Sequence, residues 1–151
     1  MRRAAPAAQD LARRLLAYEA GVSQRPEARV EAAPPAVDKL RFHLSKLIGP
    51  AGFQAFLDRS LGLARAEFPW LAEVQVEPDG ALKGLREVVE GRDPAEAAAG
   101  VTAVLAHFLG LMVSFIGDPL TLRLMRAVWP ELSLSDAGSG EAGTGAEEAR
   151  R

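Results

Sequence analysis

His107 is the only ionisable side chain between Glu96 and Asp118. A neutral imidazole donates one hydrogen bond and accepts another, and Ser114 lies two turns further along the same face of a predicted helix. These two side chains could share a pocket and contact a ligand. We favour a simpler interpretation, in which His107 is packed in the core and bonded to a backbone carbonyl or a neighbouring side chain.

Other catalytic or metal-binding chemistry has little support in the sequence. The chain has no Cys, which excludes disulfides, thiol nucleophiles and cysteine-ligated metals. His43 is predicted to face water, and no carboxylate stands at a ligand spacing from either histidine. Serine-hydrolase, phosphate-loop, dinucleotide and zinc-protease motifs are absent. We therefore expect a non-enzymatic protein with no metal and no cofactor.

The helix that carries His107 is predicted over residues 97–117, without a formal charge and with two unlike faces. Its small-residue stripe comprises Gly100, Ala103, His107, Gly110, Ser114 and Gly117. Its bulky face comprises Val101, Val104, Leu105, Phe108, Leu111, Met112 and Phe115. Small residues allow a neighbouring backbone to approach closely, and bulky residues fill a core. If a helix crosses at Gly110, Gly110→Leu should be among the most damaging single changes in the chain.

Two environments fit this uncharged segment. At about 1.5 Å per residue it is long enough to span a bilayer of about 30 Å. However, an ionisable His107 at mid-span is costly in lipid, and amphipathic helices on both sides could cover the segment. We favour a helix buried in protein over a membrane span.

Amphipathic patterns predict four other helices around this one. They cover residues 7–20, 36–48, 51–67 and 119–129, and a shorter helical turn covers 85–90. Gly49 and Pro50 should join the second and third helices as an antiparallel hairpin. Val74 and Val76, followed by the turn signal Pro78-Asp79-Gly80, predict a small β-hairpin to residues 81–83. The predicted fold is a mainly α bundle of about five helices around a buried central helix.

The predicted organisation has four parts: a helical arm at 1–21, an extended linker at 22–35, a helical core domain at 36–132 and a disordered tail at 133–151. The linker is predicted from its three prolines and scattered charges, and the tail from its polar low complexity. The arm either docks on its own chain, which we favour, or reaches a partner. Trp70 and Trp129 stand beside prolines at helix ends, where core-edge packing is favoured over an interface anchor.

Composition limits the partners. The 151 residues are 48% hydrophobic with a net charge of −2, which fits a globular protein and does not favour nucleic acid. Charges at Asp10, Arg13 and Arg14 interrupt what would be the apolar region of a secretory signal, so a cytoplasmic location is expected.

Three blocks resemble a family of small, uncharacterised bacterial proteins from GC-rich genomes. They are KLRFHLSKLIGPAGFQAFLDRSLGLARAEFPWL, PDGALKGL and LGLMVSFIGDPLTLRLMRAVWPEL, within residues 39–132. The resemblance implies a helical, non-secreted bacterial protein and supplies no catalytic residue.

The sequence thus favours a protein–protein interaction module, either an adaptor or a small regulatory subunit of a bacterial complex that self-associates. Its candidate binding residues are His107, Gly110, Ser114, Trp70 and Trp129. The alternatives are a bundle that holds a small apolar ligand beside His107 and a single-span membrane protein anchored through 97–117.

Overall fold

The computed structural model describes residues 4–21, 25–79 and 81–132. In these residues the chain forms five α-helices and one small two-stranded sheet, which confirms the predicted mainly α fold, and it also forms a 3₁₀ turn. The elements are α1 (Pro6–Ala20), α2 (Pro26–Glu67), the 3₁₀ turn (Pro69–Glu73), β1 (Gln75–Val76), β2 (Leu82–Lys83), α3 (Leu85–Val89), α4 (Pro94–Ile116) and α5 (Asp118–Val128). The strands are antiparallel, with Gln75 opposite Lys83 and Val76 opposite Leu82. The predicted tail at 133–151 lies outside the described residues.

The segment predicted as an extended linker is helical from Pro26 onward, so that prediction was wrong for residues 26–35. Pro26 occupies the first turn, where its missing N–H is not needed. Pro34 and Pro35 are exposed inside the helix, whereas Ala32, Ala33 and Ala36 are almost fully buried. Burial of this alanine face outweighs the helix-breaking tendency of the prolines. Residues 22–24 of the predicted linker lie outside the described residues.

Helix α2 is broken at Gly49, whose φ of 82° and ψ of 161° are open essentially to glycine alone. Val37 and Leu61, each twelve residues from Gly49, line the same small internal cavity. The two halves of α2 therefore fold back on each other as the predicted hairpin. Gly117, between α4 and α5, has almost the same conformation, with φ 88° and ψ 161°. A proline follows each of these corners closely.

Helix α4 is the central element and packs against both α1 and α2. It begins as predicted, since the Asp93 carboxylate accepts the backbone N–H of Glu96 at 3.2 Å and Pro94 occupies the first turn. It is the one described helix long and apolar enough to cross a membrane, and 56% of its most apolar window is buried within the protein.

Helix α1 is docked on its own chain. Its Leu15 and Leu16 are completely buried, and Leu11 is almost so. Leu15 and Leu16 join the same hydrophobic core as the bulky face of α4. Their burial holds α1 in place through the hydrophobic effect, at about 1.5–3 kcal/mol for each leucine removed from water.

Candidate functional site

His107 forms a buried pair with Glu67, the last residue of α2. Its Nε2 lies 2.7 Å from Oε2 of Glu67, and the two side chains are only 5% and 14% exposed. A carboxylate oxygen accepts hydrogen bonds and an imidazole N–H donates one, so the two groups are complementary. The pair fixes the orientation of the imidazole between α2 and α4. The predicted bonding of His107 to a neighbouring side chain is confirmed.

Glu67 is a residue that the sequence analysis missed. It follows Leu57, Ser60 and Ala64 at helical spacing, and all three of these residues are buried. The same periodicity that places them in the core also brings Glu67 to its edge. Because Glu67 is the last residue of the predicted helix, the sequence analysis did not include it in the buried face.

A cleft of about 390 Å³ adjoins this pair and is here called the α1–α2–α4 cleft. Glu67 forms part of its wall. Its α4 wall is one continuous strip of small side chains: Ala95, Ala98, Ala99, Thr102, Ala103 and Ala106. Arg13 from α1 and Arg29 from α2 also line it. The cleft thus combines an apolar wall from α4 with charged groups from α1 and α2.

Ser114 does not share this region. It is exposed near the end of α4, whereas His107 is buried. The predicted pocket containing both residues is therefore wrong. The two residues are two helical turns apart, and over that distance this face of α4 changes from buried to exposed.

Trp70 covers the other end of the small-residue stripe. A Cβ built on Gly100 would lie only 2.4 Å from Cζ2 of the Trp70 ring, far inside normal contact. The Arg92 guanidinium also stacks on the indole, 4.7 Å from the ring centroid. Its Nε1 is buried without a hydrogen-bond partner among the described residues. Trp70 therefore packs at the core edge, and Gly100 is the residue that makes room for it.

Gly110 is the reverse case. No atom of the described residues lies within 4 Å of a Cβ placed there, apart from its chain neighbours and the helix's own backbone. None of the described helices therefore crosses α4 at Gly110, and the condition for a damaging Gly110→Leu is not met. Phe115 of the bulky face is also largely uncovered, at 70% exposed. Its ring packs edge-on against that of Phe56, with 5.4 Å between the ring centroids. The last two turns of α4 thus present a charge-free, partly apolar surface.

Trp129 belongs to a separate polar cluster at the ends of α1 and α5. Its side chain is buried, and Nε1 donates to Oε2 of Glu19 at 2.6 Å. Lys39 from α2 pairs with the same carboxylate oxygen. Glu19 thereby links three helices. Its spacing from Leu15 and Leu16 would have placed it on the buried face of α1.

Tyr18 and Glu131 lie beside this cluster, with the Tyr18 hydroxyl donating to Oε1 of Glu131 at 3.3 Å. Loss of surrounding water, followed by the charge and hydrogen bond of Glu131, raises the pKa of the Tyr18 hydroxyl above its ordinary value. Tyr18 therefore remains protonated at neutral pH. Neither side chain touches the α1–α2–α4 cleft.

No group of three or more metal-ligating side chains occurs within residues 4–21, 25–79 and 81–132. Comparison with protein-family models, curated proteins and solved structures gives no match to this chain. The resemblance to a bacterial family therefore stays a prediction, and the functional argument depends on the geometry of the molecule itself.

Proposed function

We propose that this protein is a non-enzymatic interaction module that self-associates through the last two turns of α4, as an adaptor or small regulatory subunit of a bacterial complex. The observation that carries the proposal is that α4 is uncovered on both of its faces here, at Gly110 and Ser114 of the small-residue stripe and at Phe115 of the bulky face. This uncovered stretch is here called the open end of α4.

The open end lacks the features that normally keep a helix surface in water. Residues 97–117 contain no formal charge, and Phe115 exposes 70% of its side chain. Exposed apolar groups of this kind are typical of interaction sites when they adjoin one another. Burial of a phenylalanine side chain contributes about 1.5–3 kcal/mol, which is a driving force for covering it.

A second copy of the chain is the occupant that fits this surface. A two-fold interface needs a surface that is complementary to itself. The open end supplies both parts: Phe115 as an exposed ring, and the small residues Gly110 and Ser114 as positions that leave room for it. A two-fold axis would place the ring of each copy against the small residues of the other. Because the surface carries no charge, such an approach meets no like-charge repulsion.

Light scattering coupled to size-exclusion chromatography tests the proposal on the full chain. We expect the wild type to elute with twice the chain mass and Phe115→Ser to elute as a monomer. Phe42→Ser is the matched control, because Phe42 is 62% exposed on α2 and should not affect the dimer. A monomeric wild type, or a Phe115→Ser variant that remains dimeric, would contradict the proposal.

A further inference from the structure

The α1–α2–α4 cleft has the composition of a small-molecule site. Its volume of about 390 Å³ lies within the range of ligand pockets, roughly 300–1,000 Å³. One wall is apolar and shallow because α4 contributes only alanines and one threonine there. The Thr102 hydroxyl is already bonded to the carbonyl of Ala98 at 2.7 Å. The small side chains leave room that larger ones would fill.

Most charged groups in the cleft wall are already partnered. Glu67 is bonded to His107 at 2.7 Å, and Arg13 lies 3.9 Å from the Asp10 carboxylate. Arg29 differs from both, because its guanidinium has no hydrogen bond or ion pair to any other described residue. Among the described residues, Arg13 is held only by its loose ion pair with Asp10 at a largely exposed position, and Arg29 is the cleft cation with neither an ion pair nor a side-chain hydrogen bond.

From these observations we infer that the α1–α2–α4 cleft binds a small monocarboxylate with a short apolar chain, with Arg29 holding the carboxylate. A guanidinium matches a carboxylate through two parallel hydrogen bonds. The alanine strip on α4 takes the apolar chain. A dianion is disfavoured, because the Glu67 carboxylate lies in the same wall and would repel a second negative charge.

The Gln9 amide lines the same cleft but donates to the carbonyl of Ala4 at 2.6 Å. It therefore does not compete with Arg29 for the ligand. The cleft lies beside residues 95–106 of α4, away from the open end. Binding is consequently independent of self-association, and Phe115→Ser should leave it unchanged.

Isothermal titration calorimetry with hexanoate tests the inference. We expect saturable binding at one site per chain, with 1-hexanol and inorganic phosphate both binding more weakly. Hexanol has a similar apolar chain but no charge, and phosphate has the charge but no apolar chain. Absence of hexanoate binding, or equal binding of either comparison ligand, would overturn the inference.

Two variants locate the site. Arg29→Gln should weaken hexanoate binding about tenfold or more, since hydrogen bonds to charged groups are the strong ones. Ala103→Leu should weaken it by filling the apolar wall while leaving Arg29 in place. Arg123→Gln, at an exposed position on α5, is the matched control and should bind as the wild type does. Unchanged binding by both cleft variants would overturn the assignment.

Discussion

The two ends of helix α4 carry similar stripes of small residues but have opposite surroundings. At Gly100 the Trp70 ring occupies the space that a side chain would need, whereas at Gly110 that space is empty. The bulky face changes in the same direction, from Val101 at 2% exposed to Phe115 at 70%. A small residue in a helix therefore marks a close approach only when the rest of the fold brings a neighbour to it.

The largest expected effect is at the covered end. Gly100→Ala places a methyl group against the Trp70 ring, which also stacks with the Arg92 guanidinium. We expect a net loss of about 1–3 kcal/mol in the free energy of unfolding, despite the better helix propensity of alanine. Urea denaturation measures it. Combining the change with Trp70→Leu should recover part of the loss, because the two residues are in contact.

A Gly100→Ala variant as stable as the wild type would mean that the indole is free to move away. The comparison between the two ends of α4 would then lose its basis.

The next effect concerns His107, the last buried residue on the small-residue stripe of α4. Glu67→Ala removes the hydrogen-bond partner of a buried imidazole, and we expect a loss of about 1–3 kcal/mol in unfolding free energy. Glu67→Gln should lose less, because its amide oxygen still accepts a hydrogen bond. Asp58→Ala, at an exposed position of α2, is the control for loss of a carboxylate. Equal stability of Glu67→Ala and Asp58→Ala would show that the pair contributes nothing.

The smallest effect, and one of opposite sign, is at the open end. Gly110→Ala meets no neighbour and improves helix propensity, so we expect stabilisation of about 1 kcal/mol. Thermal melts in a Phe115→Ser background isolate the monomer from any effect on association. A lower melting temperature would show that Gly110 is covered after all, and the two ends of α4 would no longer differ.

Much of the fold could be predicted because it depends on local signals. Gly49 and Gly117 supply conformations that other residues avoid, and Asp93 and Pro94 begin a helix by capping chemistry. The β-hairpin followed from alternating valines and a turn sequence. These features depend on a few neighbouring residues each, so the sequence specifies them directly.

Features that depend on distant residues were less predictable. Pro34 and Pro35 favour an extended chain locally, and only burial of the alanines beside them explains the helix. The partner of His107 is forty residues away in sequence, at the end of another helix. The cover of Gly100 by Trp70 depends on where the 3₁₀ turn lies in the fold. Periodicity identified the faces of α4 but could not show how far along the helix each face is covered.

Disulfide cross-linking tests the central claim, that the open end of α4 docks on a second copy of itself, most directly. The chain contains no Cys, so Ser114→Cys introduces a single thiol into the proposed interface. The proposed arrangement places Ser114 of both copies beside the two-fold axis, so the two thiols come within disulfide distance and mild oxidation gives a covalent dimer in high yield. Phe42→Cys, exposed on α2, should remain monomeric under the same conditions. A Ser114→Cys variant that does not cross-link, or cross-links no faster than Phe42→Cys, would contradict the account.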